Sequence, residues 1–152
     1  MRPAAAALLL MAGIAGQAQA LDYRSVAEAA VLYDAPSQKA RPLFAIAAGT
    51  PVEAIVTLDA WVKVRDMKGD LAWIERRLLA ERRMVQVRER AQVRAAASET
   101  AGPVFEAEAD VVLELVAPPP ESPVTTVTQG WVQVRHREGA QGFVRTSQIW
   151  GF

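Results

Sequence analysis

The chain repeats itself, and that repeat limits what it can become. Ala60-Trp61-Val62-Lys63-Val64-Arg65 returns as Gly130-Trp131-Val132-Gln133-Val134-Arg135, an offset of 70 residues. The same offset relates Gly69 to Gly139, Ala72-Trp73-Ile74 to Gly142-Phe143-Val144, and Leu79 to Ile149. Upstream the offset is 61, where Ser37, Pro42, Leu43, Phe44 and Glu53 face Ser98, Pro103, Val104, Phe105 and Glu114. The second copy therefore carries an insertion. It falls around Pro118-Pro119-Pro120-Glu121-Ser122-Pro123, which reads as a loop because proline cannot donate to a central strand ladder. Two copies in one order mean a tandem: the first from 21 to 81, the second from 82 to 152. Each is near the lower size limit for a domain that folds by itself. The two are expected to pack on one another or to share a strand, with the junction between Arg83 and Arg94.

Within each copy the signals are those of short strands. Val62 and Val64 share one face while Trp61, Lys63 and Arg65 share the other, a period of two. Pro51 to Leu58 is rich in Val, Ile and Thr. Met67-Lys68-Gly69-Asp70, and its counterpart at Arg137-Glu138-Gly139, reads as a turn with a glycine free to take positive φ. Glu75 to Leu79 loses the alternation and predicts one helical turn, after which Met84 to Arg88 alternates again. About five strands and a helical turn per copy predict an all-β chain of two small barrels. Trp73 and Phe143 follow small residues and are expected in the core. Trp61 and Trp131, opposite the core valines, are expected to be half exposed. Trp150 is expected to anchor the chain end.

The first twenty residues read as something other than fold. Arg2 precedes an apolar run from Ala4 to Gly16, followed by Gln17-Ala18-Gln19-Ala20. That is the layout of a cleaved signal peptide, cut after Ala20. The run is too short for a membrane anchor, which needs about 20 apolar residues. The rest of the chain offers no transmembrane segment. Cysteine is absent, which excludes disulfides, thiolate nucleophiles, thiolate metal sites and an N-terminal lipidated cysteine. A periplasmic location is therefore expected.

Charge and side-chain chemistry narrow the function classes. Seventeen basic residues balance seventeen acidic ones, which argues against nucleic acid as the partner. His136 is the single histidine, in a turn position and with no acidic cluster at ligand spacing, so no metal is expected. The serines lie in no Gly-x-Ser-x-Gly elbow, no glycine-rich phosphate loop is present, and a barrel of this size has no deep cleft to raise a carboxyl's pKa. No enzyme activity and no cofactor are expected. Arginines at 76, 77, 82, 83, 88, 90 and 94 interleave with Glu75, Glu81 and Glu89 and read as a solvated junction laced with ion pairs.

Taken in order, Leu32-Tyr33-Asp34-Ala35-Pro36-Ser37, Gly49-Thr50-Pro51-Val52, Trp61-Val62-Lys63-Val64-Arg65 and Ala72-Trp73-Ile74 resemble the bacterial SH3-like (SH3b) domain. Val93-Arg94-Ala95-Ala96, Gly130 to Arg135 and Gly142-Phe143-Val144 resemble it a second time. The resemblance implies two tandem SH3-like β-barrels in an exported protein. Its implied role is a non-catalytic binding module of the bacterial cell envelope that contacts peptidoglycan or wall-associated proteins. The alternative is an assembly partner of one periplasmic protein. Tyr33 and Trp61 fall where the aromatics of a proline-reading SH3 groove would stand. Glu75, Leu78 and Leu79 replace the later groove residues, and Arg94 replaces Tyr33 in the second copy, which argues against proline-rich ligands. The candidate ligand-binding residues are Tyr33, Trp61 and Trp131.

Overall fold

The computed structural model describes residues 21–117, 127 and 129–152. The segment read as a signal peptide, residues 1–20, and the proline-rich loop at 118–123 lie outside the described residues.

Fourteen strands are described. In the first copy they are β1 (Tyr23–Val26), β2 (Ala30–Tyr33), β3 (Pro42–Ile46), β4 (Pro51–Leu58), β5 (Trp61–Arg65), β6 (Leu71–Glu75) and β7 (Leu79–Ala80). In the second they are β8 (Met84–Val87), β9 (Ala91–Arg94), β10 (Pro103–Ala107), β11 (Val112–Leu115), β12 (Trp131–Arg135), β13 (Gln141–Arg145) and β14 (Ile149–Trp150). The helical turn read at Glu75 to Leu79 is a single 3-10 turn, Arg76–Leu78, and Thr146–Gln148 repeats it. The strands form two seven-stranded antiparallel sheets. Their orders are β3-β2-β6-β5-β4-β1-β7 and β10-β9-β13-β12-β11-β8-β14. Adding seven to each label of the first gives the second, so the sequence repeat is a repeat of topology.

The strand count is higher than the five per copy that the sequence predicts. Two-residue strands such as β7 and β14 are too short to show a period. The sequence also predicts closed barrels, but both sheets are open, with β3 and β7, or β10 and β14, as unpaired ends of the order. Each sheet nevertheless rolls over its own inner face. Val26, Leu32, Ile46, Val52, Val62, Val64, Ala72 and Ile74, from six strands of the first sheet, share one core. Val85, Val87, Val93, Leu113, Val132, Val134, Val144 and Ile149 share the other. A single sheet buries residues from all these strands together only by curling, which its twist permits.

The two sheets meet at a small aromatic junction. Trp150 meets Tyr23 edge-on, with ring centroids 5.1 Å apart at 81°. The Arg83 guanidinium lies 5.9 Å from the same tyrosine ring, and Ser25 Oγ donates to the Arg82 carbonyl at 2.7 Å. Trp150 thus anchors the chain end as expected, against the first sheet. The junction is narrower than the stretch from Arg83 to Arg94 that the sequence suggests. Arg88 turns back to donate to the Ile149 carbonyl at 3.0 Å, and Ala91 to Arg94 form β9 inside the second sheet.

Candidate functional site

Strands β2, β6 and β5 are neighbours in the first sheet. Leu32, Ala72, Ile74, Val62 and Val64 point into the core, and alternation sends their neighbours outward. Tyr33 faces Trp73 across β2 and β6, and Lys63 faces Trp73 across β5 and β6. Trp61 faces Glu75 in the next row. The Tyr33 and Trp61 rings meet edge-on, 5.7 Å apart at 88°. All three aromatic residues are half-buried, so each keeps part of its surface for solvent or a ligand.

The core positions expected for Trp73 and Phe143 are not the observed ones. Both lie on the outer face, because the buried parity of β6 and β13 belongs to Ala72 and Ile74, and to Gly142 and Val144. The signal is present in the sequence: charged Glu75 shares the parity of Trp73, and Arg145 that of Phe143.

Glu75 closes one end of this aromatic face. It accepts from Arg77 Nε at 2.7 Å and Gln38 Nε2 at 2.8 Å. The hydrogen bond from Arg77, then that from Gln38, holds its carboxyl below the ordinary 4.5. The group is a fixed anion at neutral pH.

The second sheet uses the same positions with other chemistry. Arg94 stands where Tyr33 stands, and faces Phe143. Trp131 stands where Trp61 stands, and faces Arg145. Trp131 is not half exposed as expected: only 3% of it is accessible, because the Arg145 guanidinium lies over its ring, 4.4 Å from the centroid. Arg145 is held in turn by Glu99, whose Oε1 accepts from Nε at 2.6 Å and pairs with Nη2 at 2.5 Å. Arg94 Nε lies 3.9 Å from the other carboxylate oxygen of Glu99. A cavity of about 450 Å³ opens over these groups, lined also by Glu89, Arg90, Gln92, Ser147 and Gln148. Sequence reasoning misses this arrangement, because Glu99 reaches Arg145 across 46 residues.

The arginine run is laced with ion pairs as expected: Arg77 with Glu75, Arg82 with Glu114, Arg90 with Glu106 and Glu108. His136 sits in its turn, its ring 5.7 Å from that of Phe105. Among the described residues no group of three or more metal-ligating side chains occurs, and no helix is long and apolar enough to cross a membrane.

The sequence model of the bacterial SH3 domain matches residues 26–81 and 122–151. Among solved structures, NlpC1 from Trichomonas vaginalis aligns at 14% identity with a TM-score of 0.38, over 94% of this chain and 50% of that one. An NlpC/P60 family protein from Bacillus cereus aligns at 14% identity with a TM-score of 0.37, over 85% of this chain and 56% of that one. The chain thus spans about half the length of these structures. No curated protein matches it.

Proposed function

The chain belongs to the bacterial SH3 domain family, and from that premise we propose that it is an exported, non-catalytic binding module of the cell envelope, built of two units, 21–81 and 82–152, and contacting peptidoglycan. The contact is assigned to the outer face of β2, β6 and β5. The observation that carries this reading is the row of half-buried rings, Tyr33, Trp61 and Trp73, beside Lys63 and Glu75. Rigid aromatics bring large contact area at little entropic cost, which is why Tyr and Trp dominate binding hot spots. A glycopeptide polymer offers what that row accepts: apolar sugar faces for the rings, carboxylates for Lys63 and amines for Glu75.

Glu75 and Glu114 are both held below their ordinary value by arginine hydrogen bonds, which suits these two carboxylates to pairing with cations rather than to donating a proton. Export is proposed from the apolar segment at Ala4 to Gly16 and the Ala18-Gln19-Ala20 that follows.

The junction supports a second reading. Tyr23 and Trp150 tie the two outer faces together, as a clamp gripping one periplasmic protein would require.

Co-sedimentation of the protein of residues 21–152 with purified sacculi separates the two. The wall reading predicts that the parent pellets, and that Trp61→Ala weakens binding about tenfold or more with unchanged far-ultraviolet dichroism. A parent that stays in the supernatant, yet cross-links to one envelope protein in cells, overturns the wall reading in favour of the clamp.

A further inference from the structure

The second sheet reverses the charge of the first at one position. Glu75 lies across from Trp61, and Arg145 lies across from Trp131. The partner changes to match: Gln38 donates to Glu75, and Glu99 accepts from Arg145. Identical scaffolds therefore present opposite signs beside their tryptophans.

We propose that the face of Arg94, Trp131 and Arg145 is a binding site for the carboxylate end of a short peptide, and that Glu99 occupies it until such a ligand displaces it. The Glu99 carboxylate demonstrates the fit. One oxygen takes both Nε and Nη2 of Arg145, and the other faces Arg94 Nε. Glu99 is also the removable member. Its side chain is 59% exposed, against 21% for Arg94 and 36% for Arg145, and it stands on the turn between β9 and β10. Both arginines have further anchors that stay when it leaves: Arg94 Nη1 donates to the Ala101 carbonyl at 2.8 Å, and Arg145 stacks on Trp131. Departure of Glu99 leaves two guanidinium groups at the wall of the 450 Å³ cavity. Partly desolvated cations of this kind favour a charged acceptor over water. Gln92, Ser147 and Gln148 line the same cavity and offer neutral partners for the peptide amides behind the carboxylate. Nearby Arg90 does not compete, because Glu106 and Glu108 hold it.

The site rests on the second sheet alone and stands whether or not the first binds wall. The test is a titration with acetyl-D-Ala-D-Ala, its C-terminal amide, and acetyl-L-Ala-L-Ala, followed by nuclear magnetic resonance at Trp131 Nε1–H and Arg145 Nε–H. The free acids shift these resonances and the amide does not. Glu99→Gln tightens acid binding about tenfold, the scale of one charge-assisted bond no longer contested, and Arg145→Gln weakens it by a similar factor. Preference for the D-peptide identifies a wall peptide as the source of the carboxylate. Preference for the L-peptide upholds the site but counts against the wall reading. Equal binding of acid and amide, or a folded Glu99→Gln variant with no gain in affinity, overturns the proposal. The Glu99 substitution is at an exposed turn, so the test does not depend on the fold surviving the loss of an arginine.

Discussion

Gly142 shows how closely β9 and β13 approach. A Cβ built there would lie 2.5 Å from the Arg94 carbonyl oxygen and 2.7 Å from Val93 Cγ1. Its counterpart in the first sheet is Ala72, buried in its own core, so the two repeats pack these strands to different tolerances. Gly142→Ala is expected to cost about 1–3 kcal/mol, the range for overpacking a tight core, read as a lower urea midpoint with an unchanged slope. Glu114 supplies the electrostatic counterpart. The hydrogen bond from Arg82 holds its carboxyl below 4.5 against the opposing effect of burial, with Arg135 adding attraction. A carboxyl depressed in the folded state stabilises above its unfolded pKa, and that stability is lost as pH falls through the folded value. Stability should therefore decline as pH drops below about 4.5, and Glu114→Gln should make that acid limb shallower in pH-dependent thermal melts.

At the scale of elements, the hairpins are legible in the sequence and the outer faces only partly so. Trp61 to Arg65 alternates cleanly because one strand face is buried and the other is not, and the structure places β5 there. The turns at Gly69 and Gly139 are legible for a chemical reason: both glycines adopt positive φ, +93° and +98°. A methyl group added at either position would meet no atom within 4 Å, so the cost of alanine there is purely conformational. Gly69→Ala and Gly139→Ala should each lose about 1–2 kcal/mol, by equal amounts in chemical denaturation. The aromatic row is half legible. Tyr33 and Trp61 stand out by type and strand parity. Trp73 reads inward because an aromatic after a small residue looks like core, and only the parity of Glu75 reveals its true face. The Arg145–Glu99 contact is not legible at all. Pairing across 46 residues depends on β9 and β13 lying side by side, which leaves no local periodicity.

At the scale of the whole molecule, the repeat dictates two like sheets, while their coupling depends on a few side chains at the ends. Trp150 is conspicuous beside the chain terminus, but nothing local links it to Tyr23. The contact is tight. Gly151 holds φ at +102°, and a Cβ there would fall 2.8 Å from Pro51 Cβ on the first sheet. Separate cores joined by a small junction around Trp150 should unfold together only while that junction holds. Trp150→Ala is expected to split one calorimetric transition into two, whereas the parent melts as a unit. The same coupling fixes the aromatic face of the first sheet relative to the cationic face of the second, so a polymer offering sugars and peptide carboxylates would meet both with the advantage of linked sites.

We propose that the first sheet meets the wall through its outer aromatic face. The most direct measurement is a titration of the isotope-labelled protein with soluble peptidoglycan fragments, read residue by residue by nuclear magnetic resonance. The largest shifts are expected on Tyr33, Trp61, Trp73 and Lys63, while Tyr23 and Trp150 at the junction remain still. Shifts confined to the junction, or no shifts at millimolar fragment, would contradict it.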